Sequence, residues 1–246
     1  IYACVNNDPE LKVVNYFLAG ITVTKDEESG EEKIVDGVKV KLKFPQGNDI
    51  ANETTGNEGE YNFKVDGGTN YELIAEKEGF FTERVDFSTI GKTIPQENLV
   101  AMITDTTFRA KIVLNKLVLD KPIVMENIYY EFDEWFITDA AAIELDKLVN
   151  ILEDNPQIVI ELSSHTDAQG DNDYNQALSQ RRAESAVQYL VESGISPNRI
   201  TARGYGESQL IIKNAINDDQ HEINRRTEFK VTRIQQNSTQ ANNSSE

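Results

Sequence analysis

Along the first half of the chain, apolar and polar residues alternate in short runs, each closed by turn chemistry. A period of two sends one face of a strand inward and the other toward water. Such runs cover residues 15–24, 38–44, 60–65, 71–77, 80–87 and 106–114. Between them lie residues 26–30, Pro45-Gln46-Gly47, Gly56-Asn57-Glu58-Gly59, Asp66-Gly67-Gly68 and Glu78-Gly79, all residue types that make tight turns. Short, regularly spaced strands of this kind predict an all-β sandwich over residues 13–118.

From about residue 119 the period changes. Ile128, Tyr130 and Phe132 alternate as a strand. Thr138 then caps a helix whose apolar positions Leu145, Leu148, Val149 and Leu152 fall at i, i+3, i+4 and i+7. Asn155-Pro156 stops it. Residues 157–163 read as a strand, with Ile158, Ile160 and Leu162 on one face. A polar loop over residues 165–173 leads into a second helix from about Tyr174, with the stripe Ala183, Ala186, Val187 and Leu190. Gly194 suits its C′ position, and Pro197 lies just beyond. Strands over residues 199–204 and 227–234 complete the pattern. The β-α-β-α-β order with an added strand predicts an α+β domain over residues 119–234, a small mixed sheet with both helices on one face. Residues 1–12 read as the remnant of a preceding domain or a linker. Residues 235–246 are uniformly polar and are expected to be a disordered tail.

Composition narrows the function classes. The 246-residue chain holds 42 acidic and 24 basic residues, a formal charge of −18. A chain this acidic is repelled by phosphate backbones, so nucleic acid is not an expected partner. No apolar run reaches the ~18 residues that a membrane helix needs. One cysteine and two histidines exclude an intramolecular disulfide and argue against zinc; no cofactor or metal is expected. The segment Ile1-Tyr2-Ala3-Cys4 loosely resembles a lipobox, set against the plainer reading as the end of a preceding domain.

The basic residues cluster locally at Arg181-Arg182 and Arg225-Arg226, which suits a small anionic group such as a carboxylate. Ser163, Ser164, His165 and Asp167 are too close in sequence to form a triad, because neighbouring strand residues point to opposite faces. Gly204-Tyr205-Gly206-Glu207-Ser208 is neither a nucleophile elbow nor a dinucleotide fingerprint. The acid-rich run over residues 167–173 lacks the Gly and Glu positions of a calcium loop. No enzyme is read from the chain.

One series of motifs is more specific. Tyr130-Glu131-Phe132-Asp133 is followed by Ser164-His165-Thr166-Asp167, then by Tyr174-Asn175-Gln176-Ala177-Leu178-Ser179-Gln180-Arg181-Arg182-Ala183. Gly204-Tyr205-Gly206-Glu207-Ser208 and Asn224-Arg225-Arg226-Thr227-Glu228 complete it. In this order they resemble the OmpA-like C-terminal domain, a peptidoglycan-binding module of Gram-negative envelope proteins. The resemblance implies a non-enzymatic grip on the diaminopimelate of the stem peptide. Asp167 would take its ammonium and Arg182 its carboxylate, a division of labour that a zwitterion on one carbon requires. Asp133 and Thr166 would border the pocket, Asn175 and Leu178 would form its wall, and Arg225 would edge it.

The first half resembles the carboxypeptidase regulatory-like (transthyretin-like) sandwich through Val35-Asp36-Gly37-Val38-Lys39-Val40, Gly67-Gly68-Thr69-Asn70-Tyr71 and Glu78-Gly79-Phe80. The pairing is similar to OmpA-family envelope lipoproteins of Bacteroidetes (PorE-like). It implies a periplasmic, outer-membrane-associated protein that anchors other envelope proteins, such as type IX secretion or gliding machinery, to the wall. The alternative is an interaction scaffold in which wall binding is secondary.

Overall fold

The computed structural model describes residues 12–125, 128 and 134–235. The chain divides into two compact units, Ile1–Leu117 and Val118–Glu246. The sequence-derived strand through Tyr130 and Phe132, candidate Asp133, Cys4 and all of the polar tail beyond Gln235 lie outside the described residues.

Among the described residues the N-terminal unit holds eight strands in two four-stranded sheets. In one sheet β1 (Val13–Lys25) is the hub: it pairs antiparallel with β2 (Glu32–Ile34) and β5 (Glu60–Val65), and parallel with β8 (Ile103–Val113). The other sheet runs β4 (Asp49–Thr54), β3 (Lys39–Lys43), β6 (Asn70–Glu76), β7 (Glu83–Ser88). Alternation in the sequence becomes alternation in burial: Tyr61, Phe63 and Val65 of β5 are buried and the residues between them exposed. These three join Leu18, Ile112 and Leu114 from their own sheet and Val40, Leu42, Tyr71 and Leu73 from the other in one apolar core. Glycine is required where β1 and β8 meet. A Cβ on Gly20 would overlap the Ala110 carbonyl and the Tyr61 ring, because the Tyr61 hydroxyl crosses there to donate to Ala110 O at 2.6 Å. β2 and β4 are too short or too exposed to carry an apolar rhythm, so periodicity did not predict them.

The C-terminal unit is built on a mixed sheet ordered β11-β10-β12-β9. β10 (Ile158–His165) is buried at every position. It pairs parallel with β11 (Ile200–Gly206) and antiparallel with β12 (Thr227–Ile234). β9 (Ile123–Met125), absent from the sequence reading, pairs antiparallel with β12. α1 (Asp139–Asp154) starts where Thr138 accepts from Ala141 N, and buries the expected Leu145, Leu148, Val149 and Leu152. α2 (Asn172–Glu192) starts two residues before the expected Tyr174, because Asp171 accepts from Asp173 N and Tyr174 N. Gly194 ends it at φ +102°. A further short helix, α3 (Asp218–Asn224), forms where the sequence reading left a loop.

Candidate functional site

Two local devices bring β10, α2 and β11 together at one end of the sheet. Gly204 lies so close to α2 that a Cβ would strike the Gln180 backbone. Its amide donates to Gln180 Oε1 at 2.7 Å, and its carbonyl accepts from Gln176 Nε2 at 2.8 Å. Gly206 N donates to Ser179 Oγ at 2.8 Å. The glycines flanking Tyr205 therefore serve backbone approach to a helix.

A cavity of about 850 Å³ opens at this end of the sheet. Thr166, Asp167, Asn175, Leu178, Arg182 and Arg225 all line it. Six of the seven site residues expected from the sequence thus share one cavity, and the seventh, Asp133, lies outside the described residues.

Asp167 is buried at the exit of β10. Its Oδ1 accepts from Gln169 N at 3.0 Å, which fixes the loop turn. Its Oδ2 accepts from Arg225 Nη1 at 2.7 Å. Arg225 Nη2 donates in turn to Asp218 Oδ1 at 3.2 Å. Burial works against the Arg225 charge, but its bonds to Asp167 and Asp218 outweigh this and raise its pKa above the usual guanidinium value. Arg182 is buried on α2, and its Nε donates to Glu134 O at 2.9 Å. The close partner of Asp167 is therefore Arg225, with Arg182 in the same cavity and tied to the segment before α1.

Thr166 presents a hydroxyl rather than an amide. Its N–H donates to Gly206 O, whereas its buried Oγ1 has no hydrogen-bond partner among the described residues. Asn175 is held rigidly, with Nδ2 donating to Glu207 Oε2 at 2.8 Å and Gln169 O at 3.1 Å.

Behind the cavity, His165 stacks on Tyr205 with ring centroids 5.2 Å apart. Its Nε2 lies 3.1 Å from Glu228 Oε1, a close contact outside hydrogen-bond geometry. Arg226 Nε donates to Glu228 Oε2 at 3.1 Å. Burial alone raises the Glu228 carboxyl, but the His165 contact and the Arg226 guanidinium outweigh it and hold its pKa below the ordinary value. Arg226, read from the sequence only as half of a basic pair, also lines the cavity, as do Asp218 and Glu222 of α3. Sequence reasoning missed α3 because its seven residues bury only Asn224 and carry no apolar stripe. The one available signal was Asn217, a cap residue whose side chain accepts from Gln220 N.

The OmpA family model matches residues 129–225, the stretch that contributes most of the cavity. Outer membrane porin F of Pseudomonas fluorescens is 37% identical over 105 residues, 43% of this chain and 32% of that protein. The peptidoglycan-associated lipoprotein of Pseudomonas aeruginosa is 35% identical over 103 residues, 42% of this chain and 60% of that protein. Among solved structures, the peptidoglycan-associated lipoprotein of Burkholderia pseudomallei aligns at 26% identity and a TM-score of 0.39, covering 42% of this chain and 86% of that one. The C-terminal region is an OmpA-like α/β domain. The chain spans about a third of the length of the porin F relatives.

Proposed function

We propose that the C-terminal domain binds peptidoglycan non-covalently and without turnover, by holding the free amino-acid end of diaminopimelate in the stem peptide. The observation that carries this reading is the balanced charge of the cavity. Three carboxylates (Asp167, Asp218, Glu222) and three guanidiniums (Arg182, Arg225, Arg226) line it among the described residues. Equal charge of both signs in a partly buried site suits a zwitterion better than a simple anion or cation. Asp167 receives the ammonium, Arg182 the carboxylate, and the Thr166 hydroxyl adds a bond; Asn175 and Leu178 shape the wall. Asp133 is assigned to the rim on the motif alone. The relative named a peptidoglycan-associated lipoprotein supports the ligand class.

The N-terminal unit is read as a regulatory-like sandwich, and the whole as a PorE-like anchor in the periplasm, associated with the outer membrane and tying envelope machinery such as type IX secretion to the wall. Calorimetric titration with a soluble stem tetrapeptide tests the site. A tetrapeptide carrying diaminopimelate binds, and the same peptide with lysine in its place, which lacks the second carboxylate, binds at least ~30-fold more weakly, since a buried charge left unpaired costs about 2–5 kcal/mol. Equal affinity for both peptides contradicts the assignment.

A further inference from the structure

The Asp167 carboxylate has a third neighbour that neither the motif series nor the charge balance uses. His221 Nδ1, on α3, lies 3.8 Å from Asp167 Oδ2, the oxygen already bound by Arg225. That separation is too long for a hydrogen bond. His221 Nδ1 is nevertheless buried and has no hydrogen-bond partner among the described residues. A buried ring nitrogen beside a carboxylate, without a partner of its own, is unusual enough to need a reason.

Histidine is the side chain whose ordinary charge change falls between pH 5 and 8. When His221 is neutral, Asp167 faces one cation, Arg225. When His221 is charged, it faces two, the second 3.8 Å from the oxygen that Arg225 binds. The charged and titratable groups of the adjoining cavity lining, Asp167 apart, are Arg225, Asp218 and Glu222 from α3 and its end, Arg182 from α2, His165 from β10 and Arg226 just before β12. The arginines keep their charge throughout this range, and the carboxylates ordinarily change theirs mainly below pH 5. His165 already has a carboxylate of its own in Glu228.

We propose that His221 is a positioning residue that makes the hold on the ligand ammonium proton-dependent. Its protonation competes for Asp167, so the site releases its ligand on acidification. This rests on the peptidoglycan reading above. By linkage the effect is reciprocal: bound ligand disfavours the His221 proton by the factor by which the proton weakens binding, on the order of fivefold.

The test is calorimetry of the whole chain with the diaminopimelate tetrapeptide at pH 7.5 and 5.5. Affinity falls about fivefold between them in the unaltered protein and stays level in His221→Gln, while His165→Gln keeps the fall. A His221→Gln protein with the same acid loss as the unaltered chain overturns the inference and leaves the parent reading intact. Absence of tetrapeptide binding at either pH overturns the parent reading, and the inference with it. If His221→Gln does not fold, NMR titration of the two histidines in the unaltered protein decides. Added tetrapeptide moves the His221 midpoint to lower pH; an unmoved midpoint overturns the inference.

Discussion

Glu228 shows how single side chains tie the cavity to the stability of the domain. Its carboxylate lies between His165 and Arg226, one on β10 and one at the start of β12. The two hold its pKa below the ordinary value despite burial. A carboxyl depressed in the folded state stabilises the fold above its unfolded value, near pH 4.3, and this contribution is lost as pH falls through the folded value. Denaturant unfolding between pH 6 and pH 3 checks this: stability declines toward the acid end, and Glu228→Gln, less stable at pH 6, loses less over that interval. The two residues assigned the main roles behave differently at this scale. Asp167 and Arg182 are assigned as a pair only on the motifs around them, since neither spacing nor burial distinguishes a lone Asp in a loop. Arg225 as the close partner of Asp167 was not legible. That contact spans 58 positions and depends on where α3 ends.

At the level of elements, α1 ends on a device that its own sequence does not contain. Arg199, between α2 and β11, donates from Nη2 to Leu152 O at 2.8 Å and Asn155 O at 2.9 Å, and from Nε to Ile158 O at 3.1 Å. It thereby satisfies carbonyls at the helix C-terminus and places a cation there. Arg199→Ala leaves these carbonyls without their partner and destabilises the domain by about 2 kcal/mol, read from the denaturation midpoint at unchanged slope. α1, α2 and β10 were visible in the sequence because they bury long apolar stripes. β9 and α3 were not: one has three residues, the other buries only Asn224, and each forms by pairing or packing with distant chain. Gly204 shows the same limit, since its role as a contact point for α2 follows from tertiary approach rather than local turn chemistry.

In the molecule as a whole, the two halves obey different sequence rules. The N-terminal unit alternates with period two around one core shared by both its sheets, while the C-terminal unit mixes both periods. That contrast made the change of character near residue 119 readable without any motif. Among the described residues no helix is long and apolar enough to cross a membrane. The chain is acidic, at −18 overall, whereas the described lining of the cavity sets three guanidiniums against three carboxylates. The most direct measurement is co-sedimentation of the full chain with purified, insoluble peptidoglycan that carries diaminopimelate. The unaltered protein pellets with the wall, and Asp167→Ala and Arg182→Ala, each shown to be folded by circular dichroism, remain in the supernatant. Pelleting of both folded variants to the same extent as the unaltered protein contradicts the account.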